Sequence, residues 1–439
     1  MRKTSSSSKI LLLAATIAVA LACHEGRAQR GRVLLVGVDG AAPRLVARWM
    51  KESMLPNLAA LAREGVSGDL RSHHPLLSPR IWTSVATGKS PEKHGIASWL
   101  RPTAGRRLRL FRSNDRRGHA IWNILSNEDL KVGVVNWLIT YPPEKVNGVM
   151  ISDYAIPGER EAQEQFGEDF ARHLGHPGIV RSDAQRDAIT IFPTEWLARF
   201  TRIGHSNAPL EGVSDPIEGF ELKPIMKTIL SKARRTDDLA VRAALEVNRL
   251  LHPDLLMVWL PGIDRISHFL WAGVEPPELY PENIRLTPGQ RADWLQAMQA
   301  YYAYTDGLIG LLASRFSQND LILVVSDHGF EAYTDGGGKT GNHTSPAAEN
   351  GIVFARGPGV PRGEAVEHMS VNDVTPTILA WLGLPIAEDM DGQPAGFLKV
   401  PTPGVIATYD RGSIERVETR ADQLEQAVIE ELRSLGYVD

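Results

Sequence analysis

Apolar positions in this chain come in unbroken runs rather than in alternation. Arg32 to Val38 (RVLLVGV) is one such run, closed by Asp39-Gly40, and it fits a strand buried on both faces of a parallel sheet. Val132 to Val135, Leu255 to Leu260, Leu321 to Val325 and Ile352 to Phe354 repeat the pattern. Between them the spacing turns helical. Leu58, Leu61 and Ala62 share a face over Leu55 to Glu64, and similar periodicity runs over Leu239 to Leu250 and Asp293 to Leu312. Strand alternating with helix predicts an α/β fold with a mostly parallel central sheet covered on both faces.

The rhythm breaks from about Ser152 to Lys232, a stretch rich in charge, Gly and Pro that carries no metal-ligand candidate. It reads as an inserted cap that covers the site from one side. The expected division is therefore a signal over 1–28, a first catalytic part over 30–151, the cap over 152–232 and a second catalytic part over 233–439. Pro276 to Pro288 reads as a shorter loop, and Asp422 to Leu435 as an amphipathic helix with Leu424, Val428, Ile429 and Leu432 on one side.

Composition adds little beyond "globular". The 439 residues are 43% hydrophobic and 23% charged, with a formal net charge of -4 that gives no footprint for nucleic-acid binding. The N-terminus says more. Arg2 and Lys3 precede a Ser run and the apolar Ile10 to Ala22, a secretory signal in outline and too short to span a membrane comfortably. The only cysteine, Cys23, stands where this segment ends. Two outcomes stay open: lipidation of Cys23, or cleavage near Ala22 or after Ala28. Either way the chain is expected to be exported, to the periplasm, secreted or lipid-anchored in a bacterial envelope. With one cysteine, disulfides and a thiolate metal site within the chain are excluded.

Candidate chemistry sits at the ends of the predicted strands. Asp39 closes the first run, and Asp327-His328 follows Leu321 to Val325 and precedes Gly329. Asp264 and His268 are four apart, which on a helix sets a carboxylate and an imidazole on one face. His343 lies in a loop of Gly and small polar residues. In Ser78-Pro79-Arg80, Ser is a good N-cap and Pro a good first helical residue, so a helix should begin right after Ser78 and set its hydroxyl where an anion is favoured. Singly, each has a blander reading, such as a helix cap, a strand-end turn or a surface pair. Seven arginines between Arg101 and Arg117 form either a solvated loop or an attractor for an anionic substrate.

Taken together, these residues resemble the alkaline phosphatase superfamily, most closely its type I phosphodiesterase/nucleotide pyrophosphatase branch. The resemblance rests on Val38-Asp39-Gly40, on Ser78 to Gly88 with Pro91 and His94-Gly95-Ile96, on Asp264 with His268, on Ser326-Asp327-His328-Gly329 and on Gly341-Asn342-His343. It implies a three-layer α/β/α sandwich and two metal sites, one held by Asp264, His268 and His343, the other by Asp39, Asp327, His328 and Ser78. It further implies Ser78 as nucleophile, passing through a phosphoseryl intermediate between two Zn²⁺ ions, with Mn²⁺ as the other choice for nitrogen and carboxylate ligands. The substrates implied are phosphate esters of small molecules, nucleotides or lipid head groups. The chain departs from the family in having Ser rather than Thr as nucleophile, and in having Ile81 near where an Asn contacts phosphate. Arg80, or else part of the cap, is expected to replace that Asn. The departure leaves a phosphomonoesterase or phosphonate monoester hydrolase as the alternative, with a phosphotransferase or a catalytically silent binding protein behind it. Ser78-Pro79-Arg80 does not fit the sulfatase spacing.

Overall fold

The computed structural model describes residues 31–102, 108–153, 189–190, 210–216, 224–334, 338–416 and 429. The predicted signal, most of the predicted cap and nearly all of the predicted C-terminal helix lie outside these residues.

Among the described residues, nine strands form the central sheet. In chain order they are β1 (Val33–Val38), β2 (Val66–Arg71), β5 (Val132–Val135), β6 (Gly148–Ile151), β7 (Ile189–Thr190), β8 (Leu255–Leu260), β9 (Leu321–Val325), β12 (Asn350–Arg356) and β13 (Glu364–Ser370). The missing numbers belong to short pairs outside the sheet, β3 (Leu100–Pro102) with β4 (Leu108–Leu110) and β10 (Glu331–Ala332) with β11 (Gly341–Asn342). The spatial order is β13-β2-β12-β9-β1-β8-β5-β6-β7. The run from β9 through β1, β8 and β5 to β6 is wholly parallel, whereas β12 is antiparallel to both its neighbours and β7 is antiparallel to β6. All five strands predicted from apolar runs are present and buried, and β6, which was not predicted, is buried with them.

Alternate residues of each strand face opposite sides, and each side carries its own core. Leu34, Val36 and Val38 of β1 pack with α1 (Pro43–Lys51), α2 (Pro56–Glu64), α6 (Pro224–Leu251), α7 (Gly262–Leu270) and α8 (Pro288–Ala313). Val33 and Leu35 pack with α3 (Ser78–Thr87), α5 (Ile121–Asn127) and α9 (Val374–Trp381), α4 being the short Pro91–His94. This is the three-layer α/β/α arrangement. Helix α6 is continuous through the expected boundary at 232/233, and Met226, Ile229 and Leu230 in its first turns are buried in the core. The residues just before 233 therefore pack with the core on one face of the sheet. Helix α8 starts where Thr287 and Gln290 form a reciprocal capping box, which ends the loop predicted over Pro276 to Pro288.

Candidate active site

Strands β9, β1 and β8 lie side by side and point the same way, so their carboxyl ends form one edge, the place where open α/β sheets build their sites. Asp39 is the first residue after β1, Asp327 and His328 follow β9 by two and three positions, and Asp264 sits in the first turn of α7 after β8. Gly40 holds a left-handed φ of 69°. This lets its N–H donate to Asp327 Oδ1 at 3.1 Å, and a Cβ there would meet the Phe330 ring at 2.7 Å and the Asp264 Cα at 3.0 Å. His268 is one turn along α7 from Asp264, with Nε2 3.6 Å from Asp264 Oδ1. His343 arrives on the loop after β11, which is pinned to α7 where the Thr340 N–H donates to the His268 carbonyl at 2.8 Å.

Ser78 is not the N-cap expected from the sequence. It is the first residue of α3, with Leu77 in the cap position, because its hydroxyl has another partner: it donates to Asp39 Oδ1 at 3.4 Å. The Arg80 and Ile81 N–H groups both close onto the Leu77 carbonyl, at 3.0 and 3.1 Å, and Pro79 has none, so these N–H groups are not turned toward an anion.

Contacts of under 4 Å link all seven predicted residues. His328 Nε2 is 3.4 Å from Asp39 Oδ1, 3.4 Å from Asp327 Oδ2 and 3.9 Å from Asp264 Oδ1. His343 Nε2 is 3.5 Å from Asp264 Oδ1. The Nδ1 atoms of His268 and His328 lie 3.0 Å from the Gly341 and Gly329 carbonyls. A carbonyl can only accept, so each Nδ1 carries the proton and each Nε2 turns its lone pair to the cluster, the usual support of a metal-binding imidazole.

The electrostatics call for a cation. Burial first, then Asp327 and Asp264, hold the Asp39 carboxyl well above its ordinary range. Burial also pushes Asp327 up to about 6, with Asp264 adding to it, against the lowering by His328 and the Gly40 N–H. Burial drives His268 and His343 well below the usual imidazole value. Asp327 Oδ2 and His328 Nε2 are buried and make no hydrogen bond. A carboxylate oxygen and an imidazole nitrogen left this way in a buried cluster are the complement of a metal ion. Two groups of ligand atoms lie within 4.8 Å of one another, Asp264/His268/His343 and Asp39/Asp264/His328. Asp264 thus stands between the two expected sites. Nitrogen and carboxylate donors without thiolate fit a divalent ion such as zinc or manganese.

Arg80 is not brought to this cluster. It follows Ser78 by two residues, about 200° around the helix. Its guanidinium donates to His73 Nδ1 at 3.4 Å and to the His74 carbonyl at 3.1 Å, and it lies 3.7 Å from Glu92. Ile81 is wholly buried in the core on the α3 side of the sheet. Much of the arginine stretch is internal bracing: Arg101 and Arg109 bind Asp115, Arg116 binds Glu144, and Arg117 holds the Glu92 carbonyl. Arg106 and Arg107 lie outside the described residues.

Sequence reasoning passed over two residues at the site. Trp82 donates its indole N–H to Asp39 Oδ2 at 2.9 Å. The Phe330 ring lies 5.1 to 5.8 Å from the rings of His268, His343 and His328. Trp82 stands one helical turn after Ser78, a spacing that could have marked it.

The chain matches the type I phosphodiesterase/nucleotide pyrophosphatase family model over residues 33–374. It belongs to that family. The matched span runs from the first residue of β1 into α9 and takes in every residue of the cluster. No protein with a curated description matches the chain. Among solved structures, the phosphonate monoester hydrolase SpPMH from Silicibacter pomeroyi is 17% identical, with 83% of this chain and 76% of that chain covered and a TM-score of 0.45. A 2-O GAG sulfatase, BT1596, is 12% identical over 83% of this chain and 73% of that one, with a TM-score of 0.49. As a type I phosphodiesterase/pyrophosphatase family member the chain is a hydrolase, and the buried Asp/His cluster is its candidate active site.

Proposed function

We propose that the chain hydrolyses phosphoric esters, with Ser78 as the nucleophile beside two zinc ions. One observation carries this reading: the Ser78 hydroxyl opens a helix and meets Asp39 Oδ1, the same oxygen that His328 Nε2 faces at 3.4 Å. Asp264, His268 and His343 would hold one ion, and Asp39, His328 and Asp327 the other beside Ser78. Zinc bound there supplies positive charge that favours the ionised hydroxyl and neutralises the phosphoryl oxygens. Ser78 Oγ, having lost its proton, attacks phosphorus and the bond to the leaving group breaks, giving a phosphoseryl intermediate that water then cleaves. Phe330 and the surrounding core keep bulk water from the ligands, which strengthens every charge interaction there.

A phosphomonoester or phosphonate monoester preference is the second reading, favoured by Ile81. That side chain is packed in the core, so no amide reaches phosphate from this position. Arg80, held by His73, His74 and Glu92, is a less direct substitute than its place in the sequence suggests. Nucleotides and lipid head groups are the substrates the diester reading favours. Export and attachment through Cys23 belong to the same proposal.

The test compares hydrolysis of p-nitrophenyl phosphate, bis-p-nitrophenyl phosphate and a nucleoside p-nitrophenyl phosphate by zinc-loaded wild type and Ser78→Ala. Faster diester turnover, lost in the variant while zinc is retained, is the expected result. Faster monoester turnover selects the second reading. Turnover that survives in Ser78→Ala overturns the nucleophile, and no turnover of any of the three points to a binding protein or a transferase.

A further inference from the structure

The two oxygens of Asp39 have separate partners. Oδ1 faces the Ser78 hydroxyl and His328 Nε2, both at 3.4 Å, while Oδ2 accepts the Trp82 indole N–H at 2.9 Å. The last torsion of an aspartate is soft, so an unanchored carboxylate would swing and present either oxygen. Here it is held. Ser78 and Trp82 are four residues apart on α3 and so share a face. One helix thus brings the hydroxyl to one oxygen and the indole to the other.

The indole itself cannot turn away. Trp82 is wholly buried, and its ring lies on Gly37 of β1. A Cβ at Gly37 would meet two carbons of that ring at 2.7 and 2.8 Å. Trp137 closes the other side, its ring edge-on to Trp82 at 5.1 Å and 83° and its Nε1 donating to the Trp82 carbonyl at 3.2 Å. Gly37 therefore opens the space, Trp137 closes it, and the N–H is aimed at Asp39. Indoles in cores usually find some acceptor, but here the acceptor is the residue that shares the reacting centre.

We infer that Trp82 is a positioning residue. Its N–H fixes which oxygen of Asp39 is offered to the cation beside Ser78, and through Asp39 it sets affinity at that one site. The inference rests on the reading of Asp39 as a ligand, and it adds a residue that touches neither substrate nor metal.

Trp82→Phe keeps a ring over Gly37 and removes the donor. Zinc titration by calorimetry on the full chain should show one site weakened about 10- to 100-fold, the scale for lost support of a metal ligand, and the other site unchanged. On the zinc-saturated enzyme, kcat should fall with little change in KM. A double-mutant cycle separates positioning from mere packing: in an Asp39→Ala background, Trp82→Phe should change zinc affinity no further. Gly37→Ala retains the donor but displaces its ring, so it should weaken the same site, and it carries the test if Trp82→Phe does not fold. Equal zinc affinities in wild type and Trp82→Phe, or an undiminished effect in the Asp39→Ala background, overturn the inference. A wild type that binds no zinc overturns instead the reading of the site on which it rests.

Discussion

Two groups of side chains built around buried carboxylates, one at Glu144 and one at Asp39 and Asp327, behave in opposite ways. Glu144 is fully buried, yet its carboxyl lies below the ordinary glutamate range. Burial alone would raise it, but Arg116 beside it more than compensates: its Nη2 lies 2.8 Å from both oxygens, and the Trp122 indole and the Asn123 amide donate at 2.6 and 3.0 Å. Asp39 and Asp327 are as deeply buried, and both are raised. Among the described residues neither has a lysine or arginine in an ion pair; their close basic neighbour is His328. A buried carboxylate is tolerable when its counter-charge is built into the chain. The second cluster has the ligands but not the charge, and this difference marks it as the place for a metal.

The comparison breaks if the two clusters respond alike to mutation. Asp327→Asn should cost activity by at least about a hundredfold, since groups that merely support a metal ligand already cost that much. Zinc content should drop with it. In chelator the same variant should melt at or above the wild-type temperature at pH 8, because Asn keeps an acceptor for the Gly40 N–H and removes a buried acid. A lower melting temperature in chelator would mean that Asp327 is a structural group like Glu144.

Arg116→Ala should do the reverse. It leaves Glu144 with only the longer Arg416 pair at 3.6 Å and should cost roughly 3–5 kcal/mol of stability, with zinc stoichiometry at the wild-type value. Zinc at about a hundredfold excess over its Kd should stabilise both proteins by about 2.7 kcal/mol per site. Denaturant unfolding with and without zinc checks both figures, and an increment that differs between the two proteins would couple the clusters.

The smallest effect concerns another buried acid, Asp153, which has hydrogen bonds but, among the described residues, no ion pair with a cation. It accepts from the Ile139 N–H at 2.9 Å and the Thr140 hydroxyl at 3.3 Å, and burial pushes its pKa up to about 7 despite both. A raised carboxyl favours the protonated folded form, so its contribution is fully present below about pH 4 and is lost as pH rises through about 7. Between pH 5 and pH 8 the loss should be about 2 kcal/mol. Asp153→Asn should flatten that part of the stability–pH curve, and an unchanged slope would show that Asp153 is ionised in the folded state.

The strands that were legible in the sequence are β1, β5, β8, β9 and the middle of β12, all buried on both faces; β6 (GVMI) is buried likewise, but its apolar run is only three residues long. A continuous apolar run needs no partner to be read. Strands β2 (VSGDLR) and β13 (EAVEHMS) were not legible, because β13 is the sheet edge with most of its residues exposed, and β2 beside it is buried only at Val66 and Leu70. The cluster was legible because its side chains sit at strand ends, where an apolar run stops at Asp39 or just before Asp327-His328. Arg80 shows the limit. Adjacency to Ser78 in sequence suggested a shared task, but two steps along a helix turn a side chain to another face, where His73 and Glu92 take it.

What the sequence alone determined is the set of chemical groups and the strands and helices that carry them, since both follow from local pattern and residue type. Tertiary structure decided which oxygen faces which nitrogen. It placed Asp264 between two ligand groups, turned the Ser78 hydroxyl from a cap into a partner of Asp39, and brought Trp82 onto Gly37. These outcomes depend on the packing of α3 and α7 against the sheet, between residues as far apart as Asp39 and Asp327. Hydrophobic period records which face of an element is buried, but it carries no record of what the other side brings to meet it.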